Sequence, residues 1–126
     1  MIDLLKILVT ASGGAGTSTG SAYSPHVNGR ILAVHVDHSA GGTGATDTTL
    51  VDAEDPAAET IYTKSDSVTD VKIYPRRATQ NNAGTNITYD GTRIVYEPYV
   101  VCGRLLAAIA QANDGQTATF SVWLDR

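Results

Sequence analysis

A twelve-residue run, VNGRILAVHVDH at residues 27–38, constrains the fold more than any other part of the chain. Its middle, residues 31–34, is apolar at every position, which is typical of a strand that is buried on both faces. Farther along the run the pattern alternates, with Val36 on one side and His35 and Asp37 on the other. The run therefore predicts a central β-strand that lies in the middle of a sheet or between two layers.

Short alternating segments recur along the rest of the chain. Phe120, Val122 and Leu124 share one parity in such a segment and are predicted to face the core. The alanine-rich residues 99–112 are assigned to a strand rather than a helix, because Val-Val precedes a glycine there and an alternating strand follows. The predicted strands cover residues 3–10, 27–38, 50–51, 58–63, 69–74, 87–89, 92–96, 99–112 and 117–125.

Turn-forming residues separate these segments at short intervals. Hairpins are predicted at residues 65–67, at Asp90-Gly91 and at residues 113–115. Many short strands, frequent turns and no convincing amphipathic helix indicate an antiparallel β-sandwich or barrel, with a jelly roll as the leading topology. The length of 126 residues fits a single domain spanning the whole chain.

Two further features refine this prediction. Residues 11–22, ASGGAGTSTGSA, contain only small residues and are predicted to form a flexible arm between the N-terminal strand and the body. Residues 103–107, GRLLA, match residues 29–33, GRILA, which suits two buried strands at the centres of two sheets or of one paired ladder. Cys102 is the only cysteine, and its apolar neighbours predict a buried, inert thiol.

The charge distribution excludes several classes of partner. Residues 1–63 carry two basic and seven acidic side chains, and residues 64–126 carry seven basic and six acidic ones. No concentrated positive face is indicated, so nucleic acid is not expected as a partner. No apolar run approaches the roughly 20 residues of a membrane span, and residues 1–10 lack the basic start and cleavage site of a signal peptide. We expect a soluble protein that is made in the cytoplasm.

The clearest candidate for chemistry is the pair His35 and Asp37, which lie on one strand face roughly 7 Å apart. The spacing from Gly29 to His35 is similar to the first half of the cupin metal motif, but no following glutamate or third ligand completes it. The acidic cluster in residues 47–59 lacks EF-hand spacing. No phosphate-binding or nucleophile motif is present. We therefore predict no enzyme, no metal and no cofactor, and a structural role for His35.

Aromatic side chains form a different signal. Tyrosines and the single tryptophan fall mostly near predicted strand ends, where such amphipathic rings serve either as sheet rims or as contacts with a partner. The basic doublet Arg76-Arg77 fits a solvated strand end better than a phosphate site. The aromatic residues of interest are Tyr62, Tyr74, Tyr89, Tyr96, Tyr99 and Trp123.

Four segments together resemble small virion proteins of tailed bacteriophages. They are VNGRILAVHVD at 27–37, DVKIYPR at 70–76, TYDGTR at 88–93 and AAIAQANDGQTATFSVWL at 107–124. Proteins of this kind are similar to head decoration, or cement, proteins, which are β-sandwich or jelly-roll modules bound outside the major capsid shell. The resemblance covers most of the chain beyond residue 25, and none of its motifs is catalytic.

The resemblance implies a structural protein on the capsid surface of a virion, with the major capsid protein as its partner. Two alternatives belong to other classes: a carbohydrate-binding module on the phage particle, and a cupin-like metal enzyme that uses His35 and Asp37.

Assembly is the last expectation. An open sandwich leaves edge strands that invite pairing, and twofold contacts are the commonest closed interfaces, so we expect a homodimer rather than a homotrimer. The N-terminal strand, carried on its flexible arm, is predicted to exchange between subunits. The residues expected to contact the capsid or a second copy are Leu4, Leu5, Ile7, Val9, Arg76, Arg77, Tyr96 and Tyr99.

Overall fold

The computed structural model describes all residues, 1–126, and contains only strands, turns and loops. The strands are β1 (Ile2–Thr10), β2 (Ser18–Tyr23), β3 (Val27–His38), β4 (Asp47–Asp52), β5 (Thr60–Lys64), β6 (Val71–Ile73), β7 (Arg76–Ala78), β8 (Tyr96–Pro98), β9 (Val100–Gly103), β10 (Leu105–Ala112) and β11 (Thr117–Asp125).

Two antiparallel sheets pack against each other. One has the order β1-β11-β3-β6, with β9 also paired to β3, and the other has the order β2-β10-β4-β5. Strands β1 to β4 alternate between the two sheets, as do β9, β10 and β11, which is the jelly-roll arrangement. The predicted antiparallel β-sandwich with jelly-roll-like topology is confirmed.

The organising strand β3 lies at the centre of its sheet, between β11 on one side and β6 and β9 on the other. Its alternation places Val34 and Val36 fully inside, whereas Asp37 is exposed. The neighbouring β11 contributes Phe120, Val122 and Leu124, each with no exposed surface. These side chains belong to one cluster of 19 buried hydrophobic residues drawn from both sheets.

The matching segments lead into the central strands of the two sheets: residues 29–33 lie in β3 and residues 105–107 in β10, whereas Gly103 still belongs to β9. Each begins at a glycine with a positive φ, +142° at Gly29 and +140° at Gly103. At Gly29 a Cβ atom would lie 2.5 Å from the Asp125 carbonyl oxygen, so only glycine fits this approach of two strands. In both segments the arginine that follows the glycine pairs with a carboxylate.

The strand beside β3 is interrupted. β6 pairs with residues 34–36 of β3 and β9 pairs with residues 27–30, so residues 74–99 form an insertion within one strand position. Two contacts fill the gap: the Ile31 N–H donates to the Tyr99 carbonyl at 2.9 Å, and Arg76 Nη1 donates to the Leu32 carbonyl at 3.3 Å. The interruption therefore leaves β3 supported along its length.

Two hairpin predictions are wrong. β5 pairs with β4 whereas β6 pairs with β3, so the turn at residues 65–67 carries the chain from one sheet to the other. The turn at 113–115 likewise joins β10 and β11 across the sheets. The turn at Asp90-Gly91 does reverse the chain within one ladder, as the bridge between Thr88 and Ile94 shows.

The flexible arm predicted at residues 11–22 is also wrong. Ser18–Tyr23 is strand β2, which pairs with β10, and both Ala11 and Ser18 are buried. The small residues serve close packing: a Cβ atom at Gly20 would overlap the Thr10 carbonyl. Because β1 pairs with β11 along all of residues 2–10, it is an integral edge strand of this chain.

Candidate interaction surface

Residues 76–98 contain no buried residue. From here on they are called the arm, and they are distinct from the flexible arm that is predicted at residues 11–22. The arm starts with β7 and ends with β8, which pair antiparallel from Arg76 opposite Pro98 to Ala78 opposite Tyr96. All positions from 80 to 93 are exposed. The arm therefore takes its order from something other than the core.

A closed ring of backbone hydrogen bonds organises the arm. The Thr79 N–H donates to the Val95 carbonyl at 2.8 Å, the Val95 N–H to the Ile87 carbonyl at 3.1 Å, and the Ile87 N–H to the Thr79 carbonyl at 3.0 Å. The three residues are eight positions apart, so two loops of equal length connect them. Each of the three segments is thereby held to the other two.

Side-chain caps fix both loops of the arm. In the first, Asn81 Oδ1 accepts from the backbone N–H groups of Ala83 and Thr85 at 2.9 and 3.1 Å. In the second, Asp90 Oδ1 accepts from Thr92 and Arg93 at 3.0 and 2.7 Å. These backbone hydrogen bonds hold the pKa of the Asp90 carboxyl below its usual range. Such Asx turns make short loops rigid without a core.

The arm presents aromatic side chains to solvent. Tyr89 is 65% exposed and Tyr96 is 60% exposed. The Arg93 guanidinium lies 5.9 Å from the Tyr89 ring centroid, which limits the freedom of that ring. Among the predicted contact tyrosines, Tyr96 is accessible, whereas Tyr99 is partly buried against the core.

The basic doublet anchors the arm to the sandwich. Arg77 Nη1 lies 3.6 Å from a Glu59 carboxylate oxygen in the sandwich, and Arg77 Nε lies 3.8 Å from Glu97 in β8. Arg76 donates to the carbonyls of Leu32 and Pro75. The two arginines therefore have structural contacts, which the prediction of a solvated strand end does not include.

A second exposed apolar surface lies on β1. Ile2, Leu4 and Leu8 are between 50% and 64% exposed on its outer face. Leu4 stands opposite Trp123 of β11, and the Lys72 ammonium lies 4.3 Å from the tryptophan ring centroid. β1 pairs only with β11, and its other edge, which Gly20 of β2 approaches at Thr10, forms no ladder within this chain.

The inner face of β1 corrects the contact prediction. Ile7 is 4% exposed and Val9 is fully buried in the core of this chain, so neither is available to a partner. Leu5 is half-buried and packs against the same core. Only Leu4, of the four predicted β1 residues, presents a largely exposed side chain. Alternation along a strand sends every second apolar residue inward, and here the inward set is the more apolar one.

The predicted metal pair lies on the outer face of β3, with His35 half-buried and Asp37 exposed. No group of three or more His, Cys, Asp or Glu side chains gathers there or elsewhere in the chain. Asp70 accepts a hydrogen bond from the His38 N–H at 2.8 Å, which lowers the pKa of that carboxyl. Burial lowers the pKa of the His38 imidazole, and the negative charges of Asp70 and Asp37 oppose this shift.

The prediction of a buried Cys102 is wrong, because its side chain is exposed.

The ring at Thr79, Ile87 and Val95 was not foreseen. The sequence does contain turn-forming residues that mark the two loops. They are Asn81 with Gly84 in the first loop and Asp90 with Gly91 in the second, and both glycines adopt positive φ. A polar loop and a hairpin were predicted there instead, because alternation alone does not show that three segments close on each other.

Comparison of the chain with family models, curated proteins and solved structures finds no significant match. The structure contains no helix of the length and apolarity required to cross a membrane.

Proposed function

We propose that this protein is a structural virion protein that binds the outside of the major capsid shell of a bacteriophage and stabilises it. The four segments named above resemble decoration proteins of tailed phages, and the jelly roll is an architecture that viral capsid domains use. Because a shared fold does not imply a shared function, the exposed surface of the chain has to support this role.

The observation that carries the proposal is the arm. Its second capped loop presents Tyr89 and its strand β8 presents Tyr96 to solvent, and none of its residues contributes to the core. Tyrosine gives a large contact area with little loss of side-chain entropy, which suits a recognition surface. A decoration protein needs a contact element that is separate from its folded core, because the module must stay folded while that element binds the shell.

Binding to capsid shells assembled without this protein tests the proposal. The variant carrying both Tyr89→Ala and Tyr96→Ala should bind at least about tenfold more weakly in co-sedimentation, since buried tyrosines are common hot spots. Tyr23→Ala is the matched control, because Tyr23 is 55% exposed in the opposite sheet, away from the arm. Absence of binding by the wild-type chain, or equal binding by the double variant, would reject the proposal.

The proposed self-association uses β1. Two copies that pair antiparallel through their free β1 edges form a twofold contact that joins two sheets into one. The exposed outer-face residues Ile2, Leu4 and Leu8 of each copy then lie close to those of the other. Strand exchange is not part of this arrangement, because Ile7 and Val9 stay in their own core.

Light scattering tests this dimer. Leu8→Glu introduces a charge on the outer face of β1 and should reduce the mass from dimer to monomer. Val100→Glu is the matched control, because Val100 is 68% exposed in β9. A wild-type chain that is monomeric, or a dimer that Leu8→Glu leaves intact, would exclude pairing through β1.

Carbohydrate binding is the second candidate. Exposed tyrosine rings stack on sugar faces, jelly rolls include lectin domains, and this chain exposes Tyr23, Tyr74, Tyr89 and Tyr96. A glycan array probed with the whole chain distinguishes the candidates: specific glycan binding that Tyr89→Ala abolishes would favour this function over capsid binding.

A further inference from the structure

A cleft of about 340 Å³ lies on the flank of the sandwich where β5 and β6 are the outermost strands of the two sheets. One wall consists of four consecutive residues of β5, positions 61–64. Neighbouring residues of a strand point to opposite faces, so four in succession can line a cleft only if the strand edge borders it. The other wall includes Val71 and Ile73 of β6.

The free edge of β5 supplies backbone hydrogen-bonding groups. β5 pairs only with β4, which lies on its other side. In an antiparallel edge strand, every second residue points its N–H and C=O away from the sheet. Such an edge is a template for an added strand.

Half of the residues that line the cleft are hydrophobic. Ile61, Val71, Ile73 and Pro75 provide the hydrophobic lining. Tyr62 is only 6% exposed, and its buried hydroxyl has no hydrogen-bond partner in this chain. The cleft therefore combines an apolar lining with the free edge of β5.

The charge of the cleft is positive in an acidic chain. Lys64 and Arg76 are its charged lining residues, and the chain carries a net charge of -4. Every other arginine of the chain has a carboxylate within ion-pair distance, whereas Arg76 has only backbone carbonyls and Lys64 has no ionic partner. The cleft therefore holds two cations that this chain leaves uncompensated.

We propose that the cleft binds an extended, acidic segment of a partner protein. The segment adds a strand to the free edge of β5 and directs alternate apolar side chains against Val71 and Ile73. Its carboxylates lie near Lys64 and Arg76. The inference is independent of the capsid proposal, because it concerns a flank that neither the arm tyrosines nor β1 supplies.

A second copy of the chain fits this cleft less well than a separate partner segment. The other edge strand of the same sheet as β6 is β1, on the opposite flank. β1 contains one acidic and one basic side chain, Asp3 and Lys6, so a β1 strand inserted from the next copy would offer no net negative charge to Lys64 and Arg76.

Fluorescence anisotropy with the full chain and labelled synthetic peptides tests the proposal. The probe is a nine-residue peptide of alternating valine and threonine with aspartate at both ends. It should bind saturably, with a dissociation constant below about 1 mM. A lysine-ended peptide, and an acidic peptide with N-methylated alternate amides that cannot extend a sheet, should each bind at least about tenfold more weakly.

Variants of the chain locate the binding. Lys64→Glu combined with Arg76→Glu should weaken binding of the acidic peptide at least about tenfold, and Lys6→Glu on β1 is the matched control. Lys64→Glu alone repeats the test and leaves intact the hydrogen bonds from Arg76 to the Leu32 and Pro75 carbonyls. Amide resonances of residues 61–64 should shift on titration.

The proposal is overturned if no peptide of the set binds saturably. It is equally overturned if acidic and lysine-ended peptides bind alike, if Lys64→Glu binds as the wild type does, or if the cleft is occupied by self-association that dilution reverses.

Discussion

The sandwich and the arm are ordered by different interactions. In the sandwich, 19 hydrophobic side chains from both sheets form one buried cluster. In the arm, residues 80–93 are all exposed, and order comes from a ring of three backbone hydrogen bonds and two capped loops. Arg76 and Arg77 attach the arm to the body, and the short β7–β8 ladder joins the two ends of the arm.

This difference separates stability from recognition. Burial of a large apolar side chain contributes about 1.5–3 kcal/mol, whereas a hydrogen bond near solvent contributes about 0.5–1.5 kcal/mol net. Changes in the sandwich should therefore alter unfolding of the whole chain. Changes in the arm should alter what the chain binds and leave global unfolding almost unchanged.

The largest expected effect is on the core. Phe120→Ala removes a fully buried ring next to β3 and should lower the free energy of unfolding by about 3–5 kcal/mol. Tyr89→Ala in the arm also removes an aromatic ring but should change it by less than about 0.5 kcal/mol. Urea unfolding followed by the fluorescence of Trp123 measures both. Similar losses for the two variants would show that the arm shares the stability of the core.

Two glycines with positive φ give the next test. Gly29→Ala places a Cβ atom against the Asp125 carbonyl and should cost more than about 2 kcal/mol. Gly91→Ala in the arm meets open space, so only the φ of +86° opposes it, at about 1 kcal/mol. Thermal unfolding ranks the two. If Gly91→Ala destabilises the chain as much as Gly29→Ala does, the arm contributes to global stability as the sandwich does, contrary to this prediction.

Removal of most of the arm has a smaller expected effect. Replacing residues 80–94 by Asn-Gly joins Thr79 to Val95, whose backbones are already hydrogen-bonded, through a favoured two-residue turn. The free energy of unfolding should change by less than about 1 kcal/mol, because no buried residue is lost. Circular dichroism and urea unfolding measure this, and a shortened chain that fails to fold would show that the arm supports β3.

The smallest expected effect concerns two carboxyls whose pKa values are both below the usual range. Backbone N–H groups lower the pKa of Asp90 in the arm, and a hydrogen bond from Arg30 lowers the pKa of Asp125 in the sandwich. Each therefore stabilises the folded state above the ordinary carboxyl range, and this contribution is lost as the pH falls through the lowered pKa.

Added salt distinguishes these two carboxyls. Screening should raise the pKa of Asp125 more than that of Asp90, because the cations Arg30 and the N-terminus lower the first, whereas backbone N–H groups dominate at Asp90 even with Arg93 Nε 3.1 Å away. Titration of the two side chains by NMR at low and high salt measures the difference. Equal upward shifts would show that charge, rather than backbone geometry, controls Asp90.

The pattern of the chain predicted individual strands well. The bounds of β3 and β11 coincide with the predicted 27–38 and 117–125, and Phe120, Val122 and Leu124 face inward as expected. The segment 99–112 is strand, as predicted, and is divided at Gly103, where the chain turns into the other sheet. The candidate surface was predicted less well, since Tyr96 is exposed but Ile7 and Val9 belong to the core.

The sequence by itself determined which segments are strands and which side of each strand is buried. This follows because alternation with period two is a local property, fixed by the geometry of an extended backbone. A turn signal is local too: it reverses the chain but carries no information about which sheet receives the next strand.

The tertiary structure decided the partners of each strand. The turns at 65–67 and 113–115 are predicted as hairpins, yet both cross between sheets, because β6 and β11 pair in the sheet that contains β3 and bury their inner faces against the other sheet. The consecutive strands β4 and β5, by contrast, pair within one sheet. The small residues 11–22 by themselves suggest a flexible linker, but residues 18–22 form most of strand β2. Tertiary packing decides this, because β2 pairs with β10 and Gly20 lies so close to the Thr10 carbonyl that only a residue without a side chain fits there.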